Sequence, residues 1–412
     1  MRKVIILTVL VLCCTVIFSS YATSFAQPNV ETSNLQSNLS SRELLQGYLT
    51  QAPSRIAGTQ DMVNARYFIG NTLEDIGFPS NDLFKLLPNH TYYCFDDNGF
   101  EFEDDFGNLL YGYNMYAFLI VNPTYPTIII GSHMDSIGQG ATDNASGVVA
   151  SLMIADILFS RQQELKCNVI FAYFDAEEVG CIGSEYYAHQ LNYYPDSIDV
   201  DAMINLDSIA GGDNLYVYAE DKRTDMCDYL ANSHPNLYQK PINAELNYSA
   251  GYWTYGYYQQ AFASDHTEFR VYGIPTAVIF SGNYSWKQMG FVQSLDANNC
   301  VMNTDLDTLA HFNSLPNGYN QIDTVASVVS SALLDSQFVG ICQNVAKSQL
   351  VDLNLAYGTI APLVVIQGIV AILGISAFTY HKKLRKDAIL NPAEANNNSI
   401  FKQADYHDIF NI

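Results

Sequence analysis

One histidine and several carboxylates gather at the ends of apolar runs in the middle of this chain. Gly131-Ser132-His133-Met134-Asp135 follows one run, Asp143-Asn144-Ala145-Ser146-Gly147 precedes a second, and Asp175-Ala176-Glu177-Glu178 follows a third. An imidazole and grouped carboxylates are donors that suit a hard or borderline divalent cation. The chemistry they point to is metal-dependent hydrolysis, in which an ion activates water and a nearby carboxylate takes the proton.

Each of these residues also has a plainer reading. His133 is the first candidate ligand, and Asp135, two positions on, is placed to orient its imidazole; a surface pair would have the same spacing. Asp143 is a candidate ligand, but it also stands where a helix N-cap would stand. Of Glu177 and Glu178, one can bind metal while the other serves as general base. Their alternative is a solvated acidic turn, although an acidic pair set so tightly against an apolar strand is costly without a counter-charge. Asp207 repeats the pattern after Ile204-Asn205-Leu206.

The elements that must position these residues follow from the apolar pattern. Thr127 to Ile130 reads as a short buried strand ending at His133, Val148 to Phe159 as a helix, and Asn168 to Phe174 as a second buried strand. Strand, helix, strand is a parallel crossover unit, and open α/β sheets place their chemistry at such strand ends. Helices are expected at Ser41 to Leu49 and Asp61 to Ile76, the latter stopped by Gly77. Thr91 to Pro123 reads as strands with a hairpin turn at Asp104 to Asn108, and Asn114 to Val121 as a central strand. Further strands are expected at Ala202 to Leu206, Leu215 to Ala219 and Thr276 to Phe280, and a long closing helix at Asp323 to Val345. The aromatic stretch Asn247 to Tyr258 reads as a loop that either walls a substrate pocket or packs on the surface.

The chain has 412 residues, 49% of them apolar, and a formal charge of −23. That charge excludes nucleic acid as a partner, since phosphate contacts need a basic surface. Residues 1–26 read as a secretory signal peptide, with Arg2 and Lys3 before an apolar core. Residues 27–40 read as a flexible lead-in and 41–350 as the folded ectodomain. Residues 358–380 read as a transmembrane helix, because Ile360 to Tyr380 is apolar throughout and His381-Lys382-Lys383-Leu384-Arg385-Lys386 follows it. Residues 381–412 are then a cytoplasmic tail, and the protein is a single-pass cell-membrane protein with its ectodomain outside. Cys94, Cys167, Cys181, Cys227, Cys300 and Cys342 permit disulfides on an exported domain, while Cys167 and Cys181 equally fit buried free thiols. Asn38, Asn89, Asn247 and Asn283 open glycan acceptor patterns; Asn144 does too, but lies inside the site.

The order His-x-Asp, Asp-Asn-Ala-Ser-Gly, Asp-Ala-Glu-Glu-x-Gly, Asn-Leu-Asp and Ser-Asp-His with Gly-Ile-Pro resembles the co-catalytic double-zinc aminopeptidases. That family includes the bacterial leucyl aminopeptidases and is related to glutamate carboxypeptidases and glutaminyl cyclases. The resemblance runs from about Pro53 to Val345 and takes in Arg55-Ile56-Ala57-Gly58-Thr59. It implies an α/β fold with a mixed, mostly parallel central sheet and helices on both faces. It further implies that His133 and Asp207 hold one Zn2+, that Asp143 bridges two, that Glu178 holds the second, and that Glu177 is the general base. The last family ligand is a histidine in a His-Thr-x-x-Asp-Thr-Leu pattern. Here the stretch reads Asn303-Thr304-Asp305-Leu306-Asp307-Thr308-Leu309, so Asn303 stands at the ligand position. An amide oxygen is a weaker zinc donor than imidazole; the second position then binds metal poorly or takes a harder ion, His311 substitutes, or the protein is a one-metal or inactive one. The implied activity is release of N-terminal residues from peptide substrates. Carboxypeptidase or glutaminyl cyclase activity on the same scaffold, and a tethered binding ectodomain with a degenerate site, are the rival readings.

Overall fold

The computed structural model describes residues 35–80, 91–95, 99–104, 107–193, 198–212, 214–219, 224–238, 264–282 and 302–347. The expected signal peptide, aromatic loop, transmembrane helix and tail, together with Cys300 and the acceptor sites at Asn89, Asn247 and Asn283, lie outside the described residues.

Helices α1 (Ser41–Gln51) and α2 (Gln60–Ile76) come first, and α2 ends at Gly77, whose φ of 121° only glycine adopts readily. Strands β1 (Thr91–Phe95), β2 (Phe100–Glu103), β3 (Leu109–Gly112), β4 (Met115–Leu119) and β5 (Thr127–His133) follow. Helix α3 (Ser146–Ser160), β6 (Asn168–Phe174), helix α4 (Ile182–Tyr193), β7 (Ala202–Leu206) and β8 (Asn214–Tyr218) form the middle. Helix α5 (Asp225–Ser233), β9 (Leu237–Tyr238), α6 (His266–Val271), β10 (Thr276–Gly282), α7 (Leu309–Phe312) and α8 (Gly318–Leu334) complete the order. A last helix, α9, spans Ser336–Lys347.

Eight strands form one sheet in the order β1-β4-β6-β5-β7-β10-β8-β9, and β2 and β3 pair as a separate hairpin around the expected turn. Strands β6, β5, β7 and β10 run parallel, whereas β1, β4 and β8 join antiparallel. The sheet is therefore mixed, and β4 lies between β1 and β6, one place in from the edge. Side chains alternate between the faces, as a pleated strand requires. Ile128 and Ile130 of β5 pack in one apolar cluster with α1, α2, α3, α5 and α8, while Ile129 packs in another with Tyr187 of α4 and Phe269 of α6. Helices thus cover both faces, and the parallel strands, buried on both sides, are apolar along their length.

Helix α3 is buried on nearly every side. Together with the turn before it, Ala141–Ser160 is long and apolar enough to cross a membrane, yet 89% of it lies inside the fold, so it is a core helix. Its one acid, Asp156, accepts hydrogen bonds from the Ser37 hydroxyl and the Asn38 N–H at 2.7 Å each, which ties residues 35–40 to the helix. The single closing helix expected from the sequence is two helices bent by 79°. Asp335 causes the break. It ends α8 in an extended conformation, and its carboxylate accepts the Gln337 N–H at 2.8 Å, which caps α9.

Candidate metal centre

Strand β5 delivers His133, buried at the carboxyl end of the parallel strands. Its Nε2 lies 3.1 Å from Asp143 Oδ1 and 3.6 Å from Asp207 Oδ1. On the other side of the ring, Nδ1 stands 3.4 Å from Asp135 Oδ1 and 3.2 Å from the Asp135 carbonyl oxygen. The Asp135 carboxylate also accepts the backbone N–H groups of Glu177 at 3.1 Å and Glu178 at 3.0 Å. Asp135 therefore fixes the imidazole and, through the same carboxylate, the two glutamates that follow β6.

Asp143 is not the cap of α3. Its φ of −111° and ψ of 97° lie outside the helix, and its Oδ1 faces His133 and accepts no backbone N–H. The next residue does the capping: Asn144 Oδ1 accepts the N–H groups of Gly147 and Ser208, both at 3.1 Å, and Asn144 Nδ2 donates to the Leu206 carbonyl at 2.8 Å. Asn144 thereby joins the start of α3 to the end of β7 and brings Asp207 beside Asp143. Gly147 makes the approach possible, because a Cβ there would lie 2.4 Å from the Leu206 oxygen. Asn144 is fully buried, which closes it to a glycan.

Glu177 and Glu178 sit on a tight loop in which Ala176 and Cys181 hold positive φ angles of 61° and 59°. Such conformations are costly for side chains with a Cβ and are held by their surroundings. The donor atoms of His133, Glu177 and Glu178 all lie within 4.8 Å of one another, as do those of His133, Asp143 and Asp207. The Cys181 thiol donates to Glu177 Oε1 at 3.6 Å, and Glu178 Oε1 accepts the Ile137 N–H at 3.3 Å. The Asn303 amide reaches Asp143 Oδ2 at 3.1 Å and the two Glu178 oxygens at 3.1 and 3.2 Å. Every sequence-derived site residue thus falls in one constellation. Among the described residues, His311 belongs to neither group of converging donors.

The electrostatics are those of a site short of positive charge. Burial, then the charge of Asp143, pushes Glu178 up to about 9. Burial also raises Glu177 well above the carboxylate range, against the pull of His133, and Asp207 and Asp265 add to the rise. Burial raises Asp143 and brings Asp265 to about 7. Burial opposes ionisation of Asp207 too, but its hydrogen bond and charge interaction with His133 hold it low. Burial works against a charged His133, yet Glu177 and the contacts with Asp135, Asp143 and Asp207 raise it well above its ordinary value. His133 Nε2 and Asp143 Oδ1 are buried 3.1 Å apart and, beyond each other and Asp207, neither has a polar partner. Buried polar atoms are nearly always satisfied, and a divalent cation satisfies this pair together with Asp207. The residues fit the metal.

Three supporting residues had no role in the sequence reading. Arg55, fully buried, donates from Nε to the Met134 carbonyl at 2.7 Å, from Nη1 to Gln139 at 2.8 Å and from Nη2 to Gly140 at 2.9 Å, which shapes the loop between His133 and Asp143. Asp307 holds the turn that carries Asp143. Asp265, from the Ser-Asp-His motif, is buried and adds negative charge against Glu177. A cation in an otherwise turn-like loop, and an aspartate inside the Asn303 motif, were the available signals. The described cysteines are all buried, and Cys167, Cys181 and Cys342 are free thiols.

Glutaminyl cyclase from Porphyromonas gingivalis has a similar fold, with a TM-score of 0.53 at 20% identity over 74% of this chain and 100% of that one. Leupeptin-inactivating enzyme 1 of Streptomyces exfoliatus is 30% identical over 173 residues, 42% of this chain and 36% of the relative. The probable lipoprotein aminopeptidase LpqL of Mycobacterium tuberculosis is 29% identical over 167 residues, 38% of this chain and 31% of the relative. The matches span about a third of the length of these curated relatives. Residues 119–327, half of the chain, match Peptidase family M28, and with the donor set of His133, Asp143, Glu178 and Asp207 in place, this chain belongs to that family of zinc-dependent peptidases.

Proposed function

We propose that the chain is a membrane-anchored extracellular aminopeptidase that releases N-terminal residues from peptides. The observation that carries the reading is the position of Glu177. Its carboxylate lies within 4.8 Å of the His133 donor nitrogen, which also converges with Asp143 and Asp207, on a backbone held by Asp135. His133, Asp143 and Asp207 would hold zinc, with Glu178 and Asn303 bordering a second position, and the ion would supply Lewis acidity toward water and the scissile carbonyl. Glu177 is placed to take a proton from the attacking water and return it to the leaving amine. Its raised proton affinity, caused by burial and the surrounding carboxylates, suits it to hold a proton between the two steps.

The surplus of carboxylates favours a substrate that brings its own positive charge, a free α-ammonium group. A carboxypeptidase needs a cation for the terminal carboxylate, and the two arginines that touch the loops carrying this site are already engaged, Arg55 by backbone carbonyls and Arg66 by Asp175, 3.3 Å away. The named aminopeptidase among the relatives supports the same end preference. The outside location rests on the signal-like residues 1–26 and on the apolar stretch Ile360 to Tyr380 with the basic cluster after it.

The test is hydrolysis by the full-length chain of peptides with free and with blocked N-termini, with zinc added and removed, beside Glu177→Ala. Zinc-dependent cleavage of the free-amine peptides alone, abolished in the variant, is expected. Cleavage of blocked peptides at their carboxyl ends would overturn the assignment.

A further inference from the structure

We propose that the Asn303 amide itself occupies the second metal position, so that this chain holds one zinc ion, between His133, Asp143 and Asp207. The inference rests on reading the site as a metal centre and goes beyond it in assigning the ion count and the residue that sets it.

The inner atom of the Asn303 carboxamide stands 3.1 Å from Asp143 Oδ2 and 3.1 and 3.2 Å from the two oxygens of Glu178. The two ends of an amide are told apart by their partners. With the oxygen turned inward, the amide faces the Asp143 and Glu178 carboxylates as a third acceptor group and donates nothing to them. With the nitrogen turned inward, the NH2 group donates to Asp143 with one hydrogen and to the Glu178 carboxylate with the other. The second arrangement joins the bridging aspartate to Glu178 without an ion. To admit an ion, the amide must give up both carboxylates, turn over, and then offer a neutral oxygen, a poor donor for zinc beside imidazole.

The first position differs in its donor. His133 Nε2 lies 3.1 Å from Asp143 Oδ1 and 3.6 Å from Asp207 Oδ1, and an imidazole nitrogen is a strong zinc ligand once the metal displaces its proton, which an amide nitrogen is not. The amide is also well fixed. Asn303 holds φ at 59°, a left-handed conformation that asparagine tolerates better than most residues. Its loop is fastened four residues on, where Asp307 accepts the Thr142 and Asp143 N–H groups. A side chain held this way acts as a fixed hydrogen-bond bridge where a histidine would complete a second set of metal donors.

The experiment strips the full-length chain with a chelator and titrates it with zinc against a chromophoric competitor, with elemental analysis of the product. One tightly held ion is expected in the wild type and in Asn303→Ala, two in Asn303→His, and none in His133→Ala. Asn303 is solvent-exposed, so its variants test the site without opening the core. Two tight ions in the wild type, falling to one in Asn303→Ala, would show the amide oxygen to be a ligand and overturn the proposal. An ion that survives in His133→Ala would overturn it as well. One ion per chain with no turnover of any peptide would sink the aminopeptidase reading and leave this assignment standing.

Discussion

The Asp307 carboxylate accepts the backbone N–H of Asp143 at 2.9 Å, and its other oxygen accepts that of Thr142 at 2.8 Å. Asp307 holds the turn that carries Asp143 by that turn's main-chain N–H groups, so it sets where the Asp143 carboxylate points. Burial pushes Asp307 up to about 6, against these two hydrogen bonds, so it is ionised and accepting at neutral pH. Asp307→Asn puts an NH2 group against a backbone donor and loosens the turn. The expected loss is about 10–100-fold in zinc affinity, as for other residues that orient metal ligands. Competition against a chromophoric chelator measures it, and an unchanged affinity in a folded variant would remove Asp307 from the site.

Glu177 shares the geometry of the metal donors but is assigned the proton transfer. Glu177→Gln keeps the shape and the contact from Cys181 while removing the base. We expect kcat to fall by roughly 10²–10⁴ with the zinc content unchanged. Loss of zinc in step with activity would make Glu177 a ligand instead.

Much of this site is legible in the sequence because of how parallel strands are buried. β5, β6 and β7 are covered on both faces, so they read as short apolar runs, and the polar residues that end or closely follow each run are site candidates. His133, Glu177 and Asp207 were found in this way. Asn144 was not, because from the sequence Asp143 and Asn144 are equally good caps, and only the backbone angles show which side chain is left for the metal. Arg55 was missed because its partners are carbonyl groups, which have no sequence signature. Asp307 acts on a residue 164 positions away, which no local pattern records. The break between α8 and α9 was hidden by an apolar pattern that continues across Asp335.

Asp175 makes the stability of the fold depend on pH. It lies inside the fold 3.3 Å from Arg66 and accepts the Tyr113 N–H at 3.0 Å, yet burial and the charge of Asp135 outweigh both and push it up to about 7. Burial also lowers Arg66, so neither partner carries its charge without cost. In the unfolded chain Asp175 titrates near the ordinary aspartate value, so the folded form binds the proton more tightly. Its contribution is complete below about pH 4 and is lost as pH rises through about 7, a cost on the order of a few kcal/mol. Asp175→Asn removes the ionisation. The stability difference between wild type and variant, from urea unfolding, should shift in favour of the variant between about pH 4 and 8. A pH-independent difference would show that Asp175 ionises in the fold as freely as in the unfolded chain.

Arg55 is the cation on which the loop between His133 and Asp143 depends. Its guanidinium reaches the carbonyls of Met134, Gln139 and Gly140 and lies 4.8 Å from the centre of the Tyr48 ring. No lysine can meet three carbonyls in that planar fork. Arg55→Lys leaves at least one of them buried and unsatisfied, at roughly 1–3 kcal/mol for each. Arg55→Met leaves all three. The urea midpoint should therefore fall from wild type to Arg55→Lys and again to Arg55→Met. Zinc affinity should fall in the same order, because Gly140 precedes the turn that carries Asp143. If stability fell while zinc affinity stayed constant, Arg55 would support the core and not the metal site.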